Sequence, residues 1–133
     1  MLNPETSVRG YVIGGPIYQT IGSQYTIDEL EGVADSFGLR GRVGFTGYIG
    51  NPAEAIRSLD IIVHASTQPE PFGMVIVEAM ACGKAVIVSN CGGASEIVQN
   101  RVNALTYAPG DAPALAAAIQ ELATSPQLRT RLG

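Results

Sequence analysis

The order of patterns along this chain predicts an α/β fold built on a parallel sheet. Short β-branched runs at Gly10–Ile13, Arg42–Thr46, Asp60–Ala65 and Ala85–Ser89 alternate with segments of helical period, which is the signature of βαβ units. Glycines, singly or in pairs as in Gly14-Gly15 and Gly92-Gly93, punctuate the boundaries. A hydrophobic share of 46% against 15% charged, over 133 residues, describes one domain able to bury a core rather than a disordered chain.

Each element has a local cause. Gly14-Gly15-Pro16 closes the first strand, and a helix over about 24–37 follows, with Ile27, Leu30, Val33, Ala34 and Phe37 on one face and Gly38 as its stop. After the strand at 42–46, Gly47–Gly50 turns the chain, and Asn51 caps a helix that has Pro52 at its first position and runs to about Ser58. The strand at 60–65 leads through a long loop, 66–73, into a helix over 74–82 that is apolar nearly all round and is expected to be buried, with Gly83 ending it. The β-branched run Val75-Ile76-Val77 also suits a strand, but the Ala/Met/Glu content that follows favours helix. A strand at 85–89, a short helix at about 94–99, an extended piece near 104–107 and a helix over about 112–123 complete the order. Asp111 is the expected cap of that last helix, with Pro113 in its first turn.

Composition excludes several classes of function. A net charge of −4 without a Lys/Arg cluster argues against nucleic acid as a partner. Glu78 and Lys84 break the longest apolar runs well short of the roughly 20 residues that span a bilayer, so no membrane segment is expected. Cys82 and Cys91 lack metal-knuckle spacing and read as reduced thiols of a cytoplasmic protein without a signal peptide. There is no Gly-x-Gly-x-x-Gly, Walker lysine or Gly-x-Ser-x-Gly elbow, so dinucleotide, ATPase and hydrolase chemistry have no motif behind them.

The chemistry concentrates in Glu70-Pro71-Phe72-Gly73-Met74-Val75-Ile76-Val77-Glu78, where two carboxylates bracket seven residues. Ligands of a parallel sheet gather beyond the carboxyl ends of the strands, which here means loops 14–20, 47–50, 66–73 and 90–94. Glycines such as Gly14 and Gly73 let backbone approach a ligand, and the free N–H groups opening helix 74–82 suit a diphosphate. A carboxylate placed as Glu78 is can accept from a ribose diol. Taken alone, Glu70 before a proline reads as a solvated loop charge and Gly92-Gly93 as a turn. His64, at the end of the third strand near Glu70, could serve as an acid or base, but without an identified carboxylate partner it reads as structural and stays outside the catalytic set.

These residues resemble the group 1 retaining glycosyltransferases (glycosyltransferase family 4), whose mark is Glu-x-Phe-Gly-x-x-x-x-Glu-Ala-Met-Ala-x-Gly. Glu70, Phe72, Gly73, Glu78, Ala79, Met80, Ala81 and Gly83 fit it, and the likeness extends upstream through 42–47 and 58–61 and downstream through 85–88 and 92–98. The resemblance implies the Rossmann-like C-terminal half of a GT-B fold, helices on both sheet faces, truncated at its N-terminal edge. Residues 1–133 would be a partial donor-binding domain, with the N-terminal acceptor domain and an Arg/Lys diphosphate segment absent.

The implied reaction moves a sugar from a nucleotide-sugar, most commonly a UDP-sugar in this family, to an acceptor hydroxyl with retention of configuration. Neither cofactor nor metal is implied. By resemblance Glu78 holds the ribose hydroxyls, and Glu70, with the backbone of Phe72, Gly73 and Met74, holds the transferred sugar. The base lies against Tyr48–Ile49. The fragment alone would not turn over, and its opened sheet would favour self-association. The competing expectation is a non-catalytic nucleotide-sugar-binding or assembly module of the same fold. Donor base, donor sugar and acceptor are left open.

Overall fold

The computed structural model describes residues 7–15 and 25–133, which form two compact units, Ser7–Asn51 and Pro52–Gly133. Every strand pairing is parallel, as the βαβ pattern requires, and the strands hydrogen-bond as one two-stranded and one three-stranded sheet.

In the first unit β1 (Gly10–Ile13) pairs with β2 (Val43–Gly47), and α1 (Ile27–Ser36) lies between them in sequence. Thr26 starts α1 through a capping box: its Oγ accepts from the Glu29 N–H at 3.2 Å, and the Glu29 carboxylate accepts from the Thr26 N–H at 2.7 Å. The expected start of this helix, at 24, lies outside the described residues. Gly38, at φ 68°, lets the chain turn out of the helix while its N–H donates to the Asp35 carbonyl at 2.9 Å. The apolar stripe is present at the expected spacing, yet only Ala34 is buried; Ile27, Val33 and Phe37 stay exposed.

The second unit carries the larger core. β3 (Ile61–His64), β4 (Ala85–Ser89) and β5 (Leu105–Tyr107) form the three-stranded sheet in that order. The central strand β4 is buried at all five positions, which explains why its sequence is an unbroken apolar run rather than an alternation. Its residues divide between two faces. Val86 and Val88 pack with Ile62, Ile56 of α2 (Pro52–Arg57), Ile76 and Ala79 of α3 (Met74–Ala81) and Ala94 of α4 (Ala94–Ile97). Ala85 and Ile87 pack with Leu105, Leu122 of α5 (Ala112–Thr124) and Leu132 of α6 (Pro126–Leu132). Helices therefore cover both faces, as the fold class anticipates.

Two expectations need correction. Helix α3 is not buried all round: Ile76 and Ala79 are fully covered, while Met74, Val75 and Val77 are exposed and Glu78 is partly so. One helix face meets the sheet and the other is exposed at Met74, Val75 and Val77, so an apolar surround does not force Glu78 to find a partner. The sequence reading also lacks α6. Its signal is Ser125-Pro126, with Ser125 Oγ accepting from the Leu128 N–H at 3.2 Å and Pro126 opening the helix. Arg129 folds back from α6 to donate to the Leu122 and Ala123 carbonyls at 2.6 and 3.2 Å, meeting acceptors that the end of α5 leaves open.

Candidate functional site

The loop between β3 and α3 brings Glu70, Phe72, Gly73 and Met74 to the start of a helix that no side chain caps. Gly73 sits in the left-handed region at φ 78°, a conformation that favours glycine, and a Cβ there would meet Ile76 Cδ1 at 2.8 Å. Its carbonyl accepts from the Ile76 N–H at 3.0 Å, closing the first turn. Among the described residues the Met74 and Val75 amides that precede Ile76 meet no acceptor, and the helix dipole favours an anion there. Phe72 and Met74 are exposed beside that opening. Glu78 lies one turn further along α3, and among the described residues its carboxylate makes no hydrogen bond or ion pair.

Glu70 is not a free loop charge. Ser66 Oγ donates to its Oε1 at 2.6 Å, and the same oxygen meets His64 Nε2. His64 ends β3 and is 4% exposed. This pairing supplies the carboxylate partner that the sequence left unidentified: it is Glu70, six residues on, brought back by the loop. Two hydroxyls hold the underlying backbone, with Ser89 Oγ donating to the Ser66 carbonyl at 2.5 Å and Tyr107 Oη to the His64 carbonyl at 3.3 Å. Neither Ser89 nor Tyr107 is singled out by the sequence reading, because each lies at a strand end where only the sheet register brings it beside this loop.

Gly92-Gly93 also has a defined task. The Gly93 N–H donates to the Glu70 carbonyl at 2.9 Å, and the Glu70–Phe72 backbone crosses so close to both glycines that neither leaves room for a Cβ. The pair is a packing surface for the Glu70 loop as well as a turn.

The Ser66 hydroxyl, and after it the His64 ring, hold the Glu70 carboxyl below the usual carboxylate range. A carboxyl depressed on folding adds stability above its unfolded value, about 4.3, and that contribution disappears as pH falls through the folded value. Denaturant titrations between neutral and acidic pH are therefore expected to show stability falling with acidification, with a shallower fall in Ser66→Ala. Identical profiles for the two proteins would contradict the assignment of that shift to Ser66.

The remaining candidates belong to the first unit. Gly14, at φ 141°, bridges to Gly47 with its N–H donating to the Gly47 carbonyl at 3.0 Å. A Cβ on Gly15 would lie 2.9 Å from the Tyr48 nitrogen, so the Gly14-Gly15 backbone runs against the Tyr48–Ile49 turn. Residues 16–20 of the 14–20 loop lie outside the described residues. Among the described residues no helix is long and apolar enough to cross a membrane.

The pattern that defines the group 1 glycosyl transferases matches residues 8–133. The chain belongs to that family. It is 39% identical over 105 residues to the lipopolysaccharide core biosynthesis glycosyltransferase LpsD of Rhizobium meliloti, covering 79% of this chain and 30% of LpsD. Among solved structures it is similar to HepE of Anabaena in complex with UDP-glucose, at 34% identity and TM-score 0.87, covering 98% of this chain and 35% of HepE. It is also similar to the C-terminal domain of a group 1 glycosyl transferase from Francisella tularensis, at 26% identity and TM-score 0.72, covering 92% of this chain and 78% of that domain. The chain thus spans about a third of the length of LpsD and HepE.

Proposed function

We propose that this chain is the donor-binding part of a retaining glycosyltransferase that transfers a sugar from a UDP-sugar to an acceptor hydroxyl. The observation that carries this is the pair Glu70 and Glu78 flanking the uncapped start of α3. HepE, whose complexes contain UDP and UDP-glucose, supports the choice of donor class.

In this scheme the leading amides of α3 meet the diphosphate, and the backbone of Phe72, Gly73 and Met74 joins Glu70 at the transferred sugar. The helix amides act most strongly on the charge that develops as the bond from the anomeric carbon to the phosphate oxygen breaks. Glu78 accepts hydrogen bonds from the ribose hydroxyls and Glu70 from the transferred sugar. Gly14 and the Tyr48–Ile49 turn serve the nucleotide. The acceptor oxygen bonds to the anomeric carbon on the face the phosphate leaves, and its proton passes to the departing phosphate oxygen. Glu70 then orients the sugar and stabilises charge without becoming a covalent nucleophile. No metal ion is called for, because backbone amides take up the charge on the leaving group.

The test is to offer UDP-, GDP- and ADP-sugars to the full-length enzyme and follow the anomeric proton of the product by NMR. Consumption of a UDP-sugar with the anomeric configuration kept is the expected result. An inverted product overturns retention, consumption of another base overturns the donor class, and failure to consume any nucleotide-sugar overturns the enzymatic reading.

A further inference from the structure

The two carboxylate oxygens of Glu70 are used unequally. His64 Nε2 and Ser66 Oγ both meet Oε1. A carboxylate only accepts, so Nε2 carries a hydrogen directed at it. Among the described residues no hydrogen bond reaches Oε2. One oxygen is held by the protein, and the other is left to accept from elsewhere.

The residues that hold Oε1 are themselves fixed, since the His64 and Ser66 carbonyls accept from Tyr107 and Ser89 at the ends of β5 and β4. His64 meanwhile has a feature that packing does not explain. Its Nδ1 is buried and has no hydrogen-bond partner among the described residues. Buried polar atoms are normally partnered, and an apolar side chain at the end of β3 would fill similar space without that orphaned nitrogen. The contact that an apolar residue cannot supply is the one from Nε2 to Glu70.

We propose that His64 is a positioning residue for sugar transfer: together with Ser66 it locks Oε1, so that Oε2 of Glu70 is presented to a hydroxyl of the transferred sugar. This rests on the assignment of Glu70 to the sugar made above. His64 acts through Glu70 on the geometry of the reacting sugar, not on the nucleotide. Its loss therefore falls on turnover and spares diphosphate affinity.

The experiment measures kcat and KM for the nucleotide-sugar, and Kd for the nucleoside diphosphate, in the full-length enzyme and its His64→Leu, His64→Gln, Ser66→Ala and Glu70→Gln variants. His64→Leu is expected to lower kcat by up to about 100-fold, the scale on which misplaced reacting groups act. Diphosphate Kd stays within about twofold of wild type, and His64→Gln, whose side-chain N–H can replace the Nε2 donor, recovers most of the rate. Wild-type kcat in His64→Leu, alongside a slow Glu70→Gln, overturns the role of His64 alone. Wild-type kcat in Glu70→Gln overturns the sugar assignment itself. Parallel loss of rate and diphosphate affinity in His64→Leu, unrescued by Gln, marks a structural residue and also overturns the proposal. Should His64→Leu fail to fold, Ser66→Ala decides: the same split between rate and affinity supports the locking of Oε1, and wild-type kinetics overturns it.

Discussion

Replacing Glu78 by alanine is expected to weaken binding of the nucleoside diphosphate to the full-length enzyme by roughly 10- to 100-fold. That corresponds to losing charge-assisted hydrogen bonds from a ribose, about 1.5–3 kcal/mol. Stability should barely change. The Glu78 side chain is partly exposed and, among the described residues, makes no hydrogen bond or ion pair, so its removal costs within about 0.5 kcal/mol of nothing. Calorimetric titration gives the affinity and denaturant unfolding the stability. Unchanged affinity would remove Glu78 from the site. A large loss of stability would show that the carboxylate supports the fold.

Gly93→Ala is expected to have the opposite profile, with a large loss of stability. A Cβ built on Gly93 lies far inside contact distance of the Pro71 carbonyl oxygen, 2.6 Å from its carbon and 3.0 Å from the Phe72 Cα, and all of these atoms are backbone, with no flexible side-chain end to swing aside. Relief requires moving the loop or α4, so the cost should reach or exceed the upper end for overpacking, about 3 kcal/mol. Gly92→Ala adds a strained φ of 59° to a Cβ placed 2.6 Å from the Glu70 carbonyl oxygen. Urea unfolding of both variants checks this, and a Gly93→Ala protein of wild-type stability would contradict the close crossing.

How much of this was legible in the sequence depended on whether the cause was local. Strands β1 and β4 have the expected bounds because glycine turns and an unbroken β-branched run define them within a few residues. The Glu70–Glu78 bracket was readable because it is one contiguous segment. The pairing of His64 with Glu70 was not, since it depends on the path of an irregular loop that has no period. The exposure of Met74, Val75 and Val77 escaped for a different reason: an apolar helix reads as buried, but the sequence does not say which face has a neighbour. Helix α6 carried an adequate signal in Ser125-Pro126, as α1 did in the Thr26…Glu29 box.

The wholly buried strand β4 has a consequence for timing. Opening free energies rise from frayed ends towards the core, and a central strand covered on both faces belongs to the last part of its unit to open. Ser89 ends that strand and holds the Ser66 carbonyl, so the backbone leading to Glu70 is tied to a strand whose amides are expected to exchange slowest in the unit. A loop anchored in this way is expected to keep its shape while segments with fewer such ties move. On the proposed function, motions that admit a donor and release a spent diphosphate would then fall to other segments, with the Glu70 carboxylate held in place.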